Sequence, residues 1–155
     1  MPIFNMADLR AALPRHSRLI GIDPGAKIIG LALSDVLLML ASPYGSLPRG
    51  KLGKTAAEIA AIATKEGAGG LVVGLPLSMD GSFGPAAQAA KDFGRDLAHA
   101  AGLPVAFWDE RLSSAAVNRA MIEADVTRAK RAKAVDAAAA AWMLQSALDA
   151  SVPPG

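Results

Sequence analysis

Short apolar runs and longer helical repeats alternate along the chain. Leu19, Ile20 and Ile22 form an apolar run that ends in Asp23, and Pro24-Gly25 turns the chain before a second run opens at Ile28. Two such runs around a turn predict a β-hairpin. Leu37 to Ala41 reads as a third strand, followed by a Pro/Gly-rich connection from Ser42 to Gly53. Thr55-Ala-Ala-Glu58 has the spacing of a capping box, so a helix is expected from there to Glu66, stopped by Gly67. Leu71-Val-Val73 is wholly apolar, as in a strand covered on both faces, and a turn-rich loop follows over 74–82. A second helix opens at Pro85 and runs to Ala101 before Gly102. Pro104 to Trp108 is the next strand, ending in Asp109-Glu110-Arg111. Ser113 caps a third helix to Ala124, a polar connection covers 125–130, and a last helix runs from Arg131 to Ala150. Ahead of the hairpin, residues 1–17 predict a short helix after Asn5, with Leu9 and Leu13 on one face and a stop at Pro14.

This order describes an α/β domain with a mixed sheet flanked by helices. The hairpin start makes the first three strands antiparallel, and each later strand arrives after a crossover helix and so lies parallel to the first. Parallel strands bring their C-terminal ends to one edge, where ligands of open α/β sheets bind. Asp23, the 74–82 loop and Asp109-Glu110-Arg111 all fall on that edge. The expected organisation is an N-terminal extension (1–17) that packs on the sheet, one domain (18–150) and a flexible tail (151–155).

Composition narrows the chemistry. At 155 residues, 52% hydrophobic and 19% charged, the chain is long and apolar enough for one globular domain. The 16 basic against 14 acidic residues leave +2, too small an excess to imply nucleic acid by itself, so local clusters matter more. With no cysteine, disulfides, thiolate chemistry and Cys-ligated zinc are excluded. His16 and His99, the two histidines, sit in unrelated segments, against a His-rich metal site or a Ser-His-Asp triad. No apolar run approaches a membrane span and the N-terminus lacks the apolar core of a signal peptide, which makes the cytoplasm the default location.

Three carboxylates stand out. Asp23 and Glu110 end two parallel strands, and Asp136 lies one turn into the last helix, in the almost uncharged stretch Ala-Val-Asp-Ala-Ala-Ala-Ala-Ala-Trp-Met-Leu. Two of them have a plain structural reading: Asp23 as a turn former, Asp136 as a first-turn residue favoured by the helix dipole. The other reading joins all three into a hard oxygen site suited to Mg²⁺ or Mn²⁺. Two such ions about 4 Å apart activate water and stabilise the leaving oxygen in phosphodiester cleavage. Without a cation the three would repel one another, so the cluster is poor as mere structure. Arg128, Lys130, Arg131 and Lys133 immediately precede Asp136, Arg119 lies on the preceding helix, and Lys27 and Arg111 adjoin the hairpin and strand carboxylates. A basic run is usually a solvated face, but beside an acidic edge these cations would meet a phosphate backbone. Trp108 and Trp142 are expected in the core.

Four stretches in order carry a resemblance: Gly21-Ile-Asp-Pro-Gly-Ala-Lys-Ile-Ile-Gly-Leu-Ala, Val73-Gly-Leu-Pro-Leu-Ser-Met-Asp-Gly-Ser, Asp109-Glu-Arg-Leu-Ser-Ser, and Asp136 followed by Ala138-Ala139 and Leu144-Gln145. Over residues 18–149 the chain resembles the YqgF (RuvX) family of RNase H-like nucleases, which is associated with pre-16S rRNA processing and with Holliday junction resolution. The first stretch alone is weak, since sugar kinases and actin-like ATPases share such a hairpin; the four together are specific. The resemblance implies an RNase H-like fold and divalent-metal-dependent cleavage of nucleic acid, with Asp23, Glu110 and Asp136 as the acidic residues. The chain departs from the family pattern at Ile28, often Arg or another polar residue, at Ser78, commonly Asn, and at Ala137, often Lys. These losses bear on phosphate contacts more than on metal binding. The expected activity is endonucleolytic cleavage of structured RNA in 5′-end maturation of pre-16S rRNA. Alternatives are Holliday junction resolution, which needs a dimer with two spaced sites on branched DNA, a non-catalytic nucleic-acid adaptor, and ATP binding by an actin-like hairpin, for which one domain is too few. The expected partners are nucleic acid and no membrane, for a monomer or homodimer.

Overall fold

The computed structural model describes residues 3–25, 27–76, 84–109 and 128–152. Strands β1 (Ile3–Phe4), β2 (Arg18–Pro24), β3 (Ile28–Ser34), β4 (Ala41–Pro48), β5 (Ala68–Leu75) and β6 (Val105–Asp109) form one sheet in the order β1-β6-β5-β2-β3-β4. The β2–β3–β4 meander is antiparallel, whereas β5 pairs parallel with β2 and β6 parallel with β5. Helices α1 (Met6–Ala12) and α4 (Arg128–Ala150) lie on one face, α2 (Leu52–Glu66) and α3 (Pro85–Ala101) on the other. Among the described residues no helix is long and apolar enough to cross a membrane.

Strand alternation sorts the core into two layers. Leu19, Ala32, Val72 and Ala106 pack with Met6, Leu9, Met143, Leu144 and Leu148, while Ile20, Ile22, Ile29, Leu71, Val73 and Val105 pack with Ile59 and Leu97. Both layers are apolar, which explains why the central strands read as near-continuous hydrophobic runs. The N-terminal segment enters the same structure. β1 pairs parallel with β6, a strand too short to leave a sequence signal, and Leu9 is fully buried. Arg10 reaches the end of α4, donating to the Leu148 carbonyl and to Ser151 Oγ at 3.3 Å each, as a cation suits the carbonyl end of a helix.

Several boundaries differ from the sequence expectation. The third strand is Ala41–Pro48, so the segment from Ser42 expected as a connection is largely strand. The apolar Leu37–Ala41 run instead makes the turn leading into it. Asp35 Oδ1 accepts from the amides of Met39 at 2.8 Å and Leu40 at 3.0 Å, and Leu38 adopts a positive φ of 57°. That carboxylate-capped loop leaves Leu37, Met39 and Leu40 exposed, so apolar content there reflects no strand. The capping box at Thr55 is absent: α2 begins at Leu52, and the Thr55 amide already donates to the Lys51 carbonyl as a helical bond, with its side chain buried. The stops at Gly67 and Gly102 are left-handed caps, both at φ 72°. α4 starts at Arg128, which puts Arg128 and Lys130 in the helix rather than on a connection. Trp142 is exposed rather than core, because it falls beside the buried stripe of Ala140, Met143, Leu144 and Ala147. Trp108 does pack against the core. The helix expected over 113–124 lies outside the described residues.

The capped loop gives a pH-dependent prediction. Burial raises the Asp35 carboxyl, but amide donation from Leu40 and Met39 outweighs it and holds the group below its ordinary value of 3.8. A carboxyl with a depressed folded pKa stabilises the protein above its unfolded pKa and loses that contribution as pH falls through the folded one. Asp35→Ala is therefore less stable than the parent at neutral pH, with the gap closing as pH drops below 3.8. Urea melts across a pH series check this; a gap that ignores pH would contradict it.

Candidate active site

Asp23 is the penultimate residue of β2 and only 5% exposed, a costly place for a carboxylate unless polar groups or a cation meet it. Ile22 is level with Val73, so Asp23 stands beside Gly74, which in turn pairs with Trp108 of β6. Neighbouring positions in a sheet share a face. Here that face belongs to α4, because the Trp108 indole N–H donates to Ser146 Oγ of that helix at 3.3 Å.

Across the antiparallel pair, the register partner of Asp23 is Gly30. A side chain at Gly30 would occupy space already taken: a Cβ built there overlaps the Asp136 carbonyl and lies 3.2 Å from the Asp136 Cα. The helix backbone at Asp136 therefore rests directly on the strand residue opposite Asp23, and opposed residues of an antiparallel pair are about 5 Å apart at Cα. Farther along, a Cβ at Gly21 would meet Leu144 Cβ at 2.9 Å and the Ala140 carbonyl at 3.3 Å. Two glycines in adjacent strands thus make the groove into which α4 settles. On the helix side the small residues Ala137, Ala140 and Ala141 permit the approach while favouring helix. Ala137, where the resembled family often has Lys, is buried, so a long cation there would have to leave this packing.

Asp136 is the ninth residue of α4, beyond the reach of the N-terminal helix dipole, and the first turn holds no acidic residue. The plain first-turn reading of this residue is thereby removed. The structure brings Asp23 and Asp136 to one edge of one face. Glu110, Arg111 and Arg119 lie outside the described residues, and among the described residues no three acidic or histidine side chains gather. Lys27 is exposed in the β2–β3 turn, and Arg128, Lys130, Arg131 and Lys133 occupy the turns of α4 that lead to Asp136. The donor chemistry of Asp23 and Asp136, oxygen only with no histidine or thiolate, is that of a hard divalent cation.

Three positions have structural roles here that the sequence reading did not assign. Gly30 was legible in principle, since a glycine inside a strand marks a close backbone approach. Gln145 clips α4 to the meander, its Oε1 accepting from the Ala41 amide at 2.8 Å and its Nε2 donating to the Met39 carbonyl at 2.9 Å. Arg49 was hidden in the segment expected as a connection, and it touches the turn after Asp23: its guanidinium donates to the Gly25 carbonyl at 3.0 Å.

Comparison with known proteins agrees with this architecture. Residues 17–150 match the family described as "RuvX: Holliday junction resolvase". A protein of Acidiphilium cryptum named "Putative pre-16S rRNA nuclease" is 68% identical over 149 residues, covering 96% of this chain and 94% of its own length. One of the same name from Gluconacetobacter diazotrophicus is 66% identical over 152 residues, covering 97% and 99%. In fold, the chain is similar to T. thermophilus RuvC in complex with a Holliday junction substrate, at a TM-score of 0.52 and 18% identity over 87% of this chain and 95% of that one. The fold is RNase H-like.

The glycine groove is testable. Gly30→Ala forces the helix backbone away from the sheet and destabilises the protein by about 1–3 kcal/mol, the range for overpacking. Gly21→Ala meets Leu144 Cβ at 2.9 Å and the Ala140 carbonyl at 3.3 Å, looser contacts than the overlap at Gly30, and costs less. Denaturant melts of both variants give that order; equal stability of Gly30→Ala and the parent would contradict the close contact.

Proposed function

The chain belongs to the RuvX family, and from that premise we propose that it is a Mg²⁺- or Mn²⁺-dependent endonuclease that cleaves structured RNA in the 5′-end maturation of pre-16S rRNA, in the cytoplasm. The observation that carries the reading is the meeting of Asp23 with the Asp136 segment of α4 at the C-terminal edge of the parallel strands.

Asp23, Asp136 and Glu110 would hold the cation. When bound, a divalent cation supplies charge stabilisation to the attacking and leaving oxygens of an in-line phosphodiester displacement. The chain's own contribution is position. Asp23 is fixed by a strand paired on both sides, and Asp136 by a helix seated in a glycine groove, so neither carboxylate needs to reorganise when the substrate arrives. Lys27, Arg111, Arg119 and the Arg128–Lys133 cations would neutralise flanking phosphates, fixing the register of the strand to be cut without reading its sequence. Such contacts make affinity fall with rising salt.

A second reading, cleavage of a four-way DNA junction, is favoured by the description of the matched family. It uses the same carboxylates and requires two copies of the site at a spacing that suits the junction arms.

Incubating the purified protein with labelled precursor rRNA and with a four-way junction, in Mn²⁺, Mg²⁺ or EDTA, separates the readings. Cleavage of the rRNA leader that EDTA stops is the expected result. Asp23→Asn removes the cleavage, a loss of at least about a hundredfold for a group central to charge stabilisation, while its melting profile stays that of a folded protein. Full activity in that variant would sink the assignment of Asp23, and junction cleavage without rRNA cleavage would replace the substrate.

A further inference from the structure

The turn that follows Asp23 is short and constrained. The Gly25 amide donates to the Asp23 carbonyl at 3.0 Å, and a Cβ at Gly25 would overlap the Ile28 carbonyl, so the chain folds back as tightly as it can. The turn carries Lys27 and sets the end of the strand that presents Asp23.

One residue from elsewhere takes hold of it at two points. Arg49 follows the last residue of β4, and its amide donates to the Lys27 carbonyl at 2.8 Å, extending the β3–β4 ladder into the turn. Its guanidinium Nη1 donates to the Gly25 carbonyl at 3.0 Å. The same guanidinium lies over the Phe93 ring of α3, with Cζ 4.7 Å from the centroid. Arginine alone can make this pair of contacts well, since its planar group stacks on an aromatic face while its edge donates in a fixed direction. A rigid helix on the α2/α3 face of the sheet is thereby tied to the turn beside the carboxylate.

We propose that Arg49 is a positioning residue of the nuclease site: a latch, backed by Phe93, that fixes the β2–β3 turn and through it the Asp23 carboxylate. The proposal rests on the nuclease reading above, and it separates Arg49 from Lys27 and the other cations, whose part is to meet phosphates. Loss of a latch moves a reacting group by a fraction of an ångström and lowers turnover. Loss of a phosphate contact weakens binding and reduces its salt dependence.

The test uses the full chain with Arg49→Ala, Arg49→Lys, Phe93→Leu and, for contrast, Lys27→Ala. Two readouts apply: kcat and KM for precursor rRNA cleavage over a salt series, and hydrogen exchange at the Gly25 amide in the protein alone. The latch predicts that Arg49→Ala lowers kcat about tenfold, within what small misplacements cost, with KM changed less than about twofold. It also predicts faster exchange at Gly25, and intermediate values of both for Arg49→Lys and Phe93→Leu. Lys27→Ala raises KM and flattens the salt slope instead. If Arg49→Ala keeps kcat and raises KM with a flatter slope, Arg49 is a phosphate contact and the proposal falls. Unchanged exchange at Gly25 also overturns it. Should Arg49→Ala melt early, Arg49→Lys and Phe93→Leu carry the same comparison. Absence of cleavage by the parent protein would strike the nuclease reading, and the exchange measurement would still decide whether the latch exists.

Discussion

The close approach of α4 to the sheet is the constraint on which the rest of the structure depends. Side chains ordinarily hold a packed helix off a sheet, but here two glycines bring the helix backbone close to the strands. Gly30 yields its side-chain space to the Asp136 peptide, and Gly21 yields to Leu144 and the Ala140 carbonyl. The helix answers with alanines on its inner face, so its propensity and its fit come from the same residues. Any side chain at Gly30 would lift the helix where it carries an acidic residue. Packing and chemistry are thus set by one contact.

That contact also explains how the sheet edge acquires a polar site. Parallel strands β2, β5 and β6 end together, and Asp23 points to the face that α4 covers. Fastenings at its C-terminal part, and on the turn beside it, keep the helix and its neighbours in register. Arg10 and Ser151 tie its C-terminal carbonyls, Gln145 joins its last third to the start of β4, and the tight turn after Asp23 is gripped by Arg49. The frame that holds Asp23 and the Asp136 turn is apolar packing on both faces of the sheet.

Much of this was legible in the chain. Apolar runs on either side of a turn placed β2 and β3, the Gly67 and Gly102 stops ended α2 and α3 where the structure ends them, and the arrival of β5 and β6 after crossovers implied parallel pairing. Asp23 alone reads equally as a turn former; it was legible as an edge carboxylate because parallel strands end together at that edge. What failed were features decided by side-chain-to-backbone bonding. The Leu37–Ala41 run looked like a strand because composition cannot reveal that Asp35 would gather the Met39 and Leu40 amides into a loop. The true strand, Ala-Ser-Pro-Tyr-Gly-Ser-Leu-Pro, carries two prolines and a glycine and reads as a connection; it is an edge strand, where such residues are tolerated. Arg49 vanished into the same misreading. Asp136 was recognised but set too near the helix start, because a basic run gives no boundary signal.

The central claim is that Asp23 and Asp136 act together on one divalent cation. Titrating Mn²⁺ into the parent protein and into Asp23→Asn and Asp136→Asn, with calorimetry as the readout and no nucleic acid present, tests it most directly. The account predicts saturable binding by the parent, weakened at least about tenfold by either substitution, as expected when a charged oxygen ligand is removed. Undiminished Mn²⁺ affinity in both variants would contradict it.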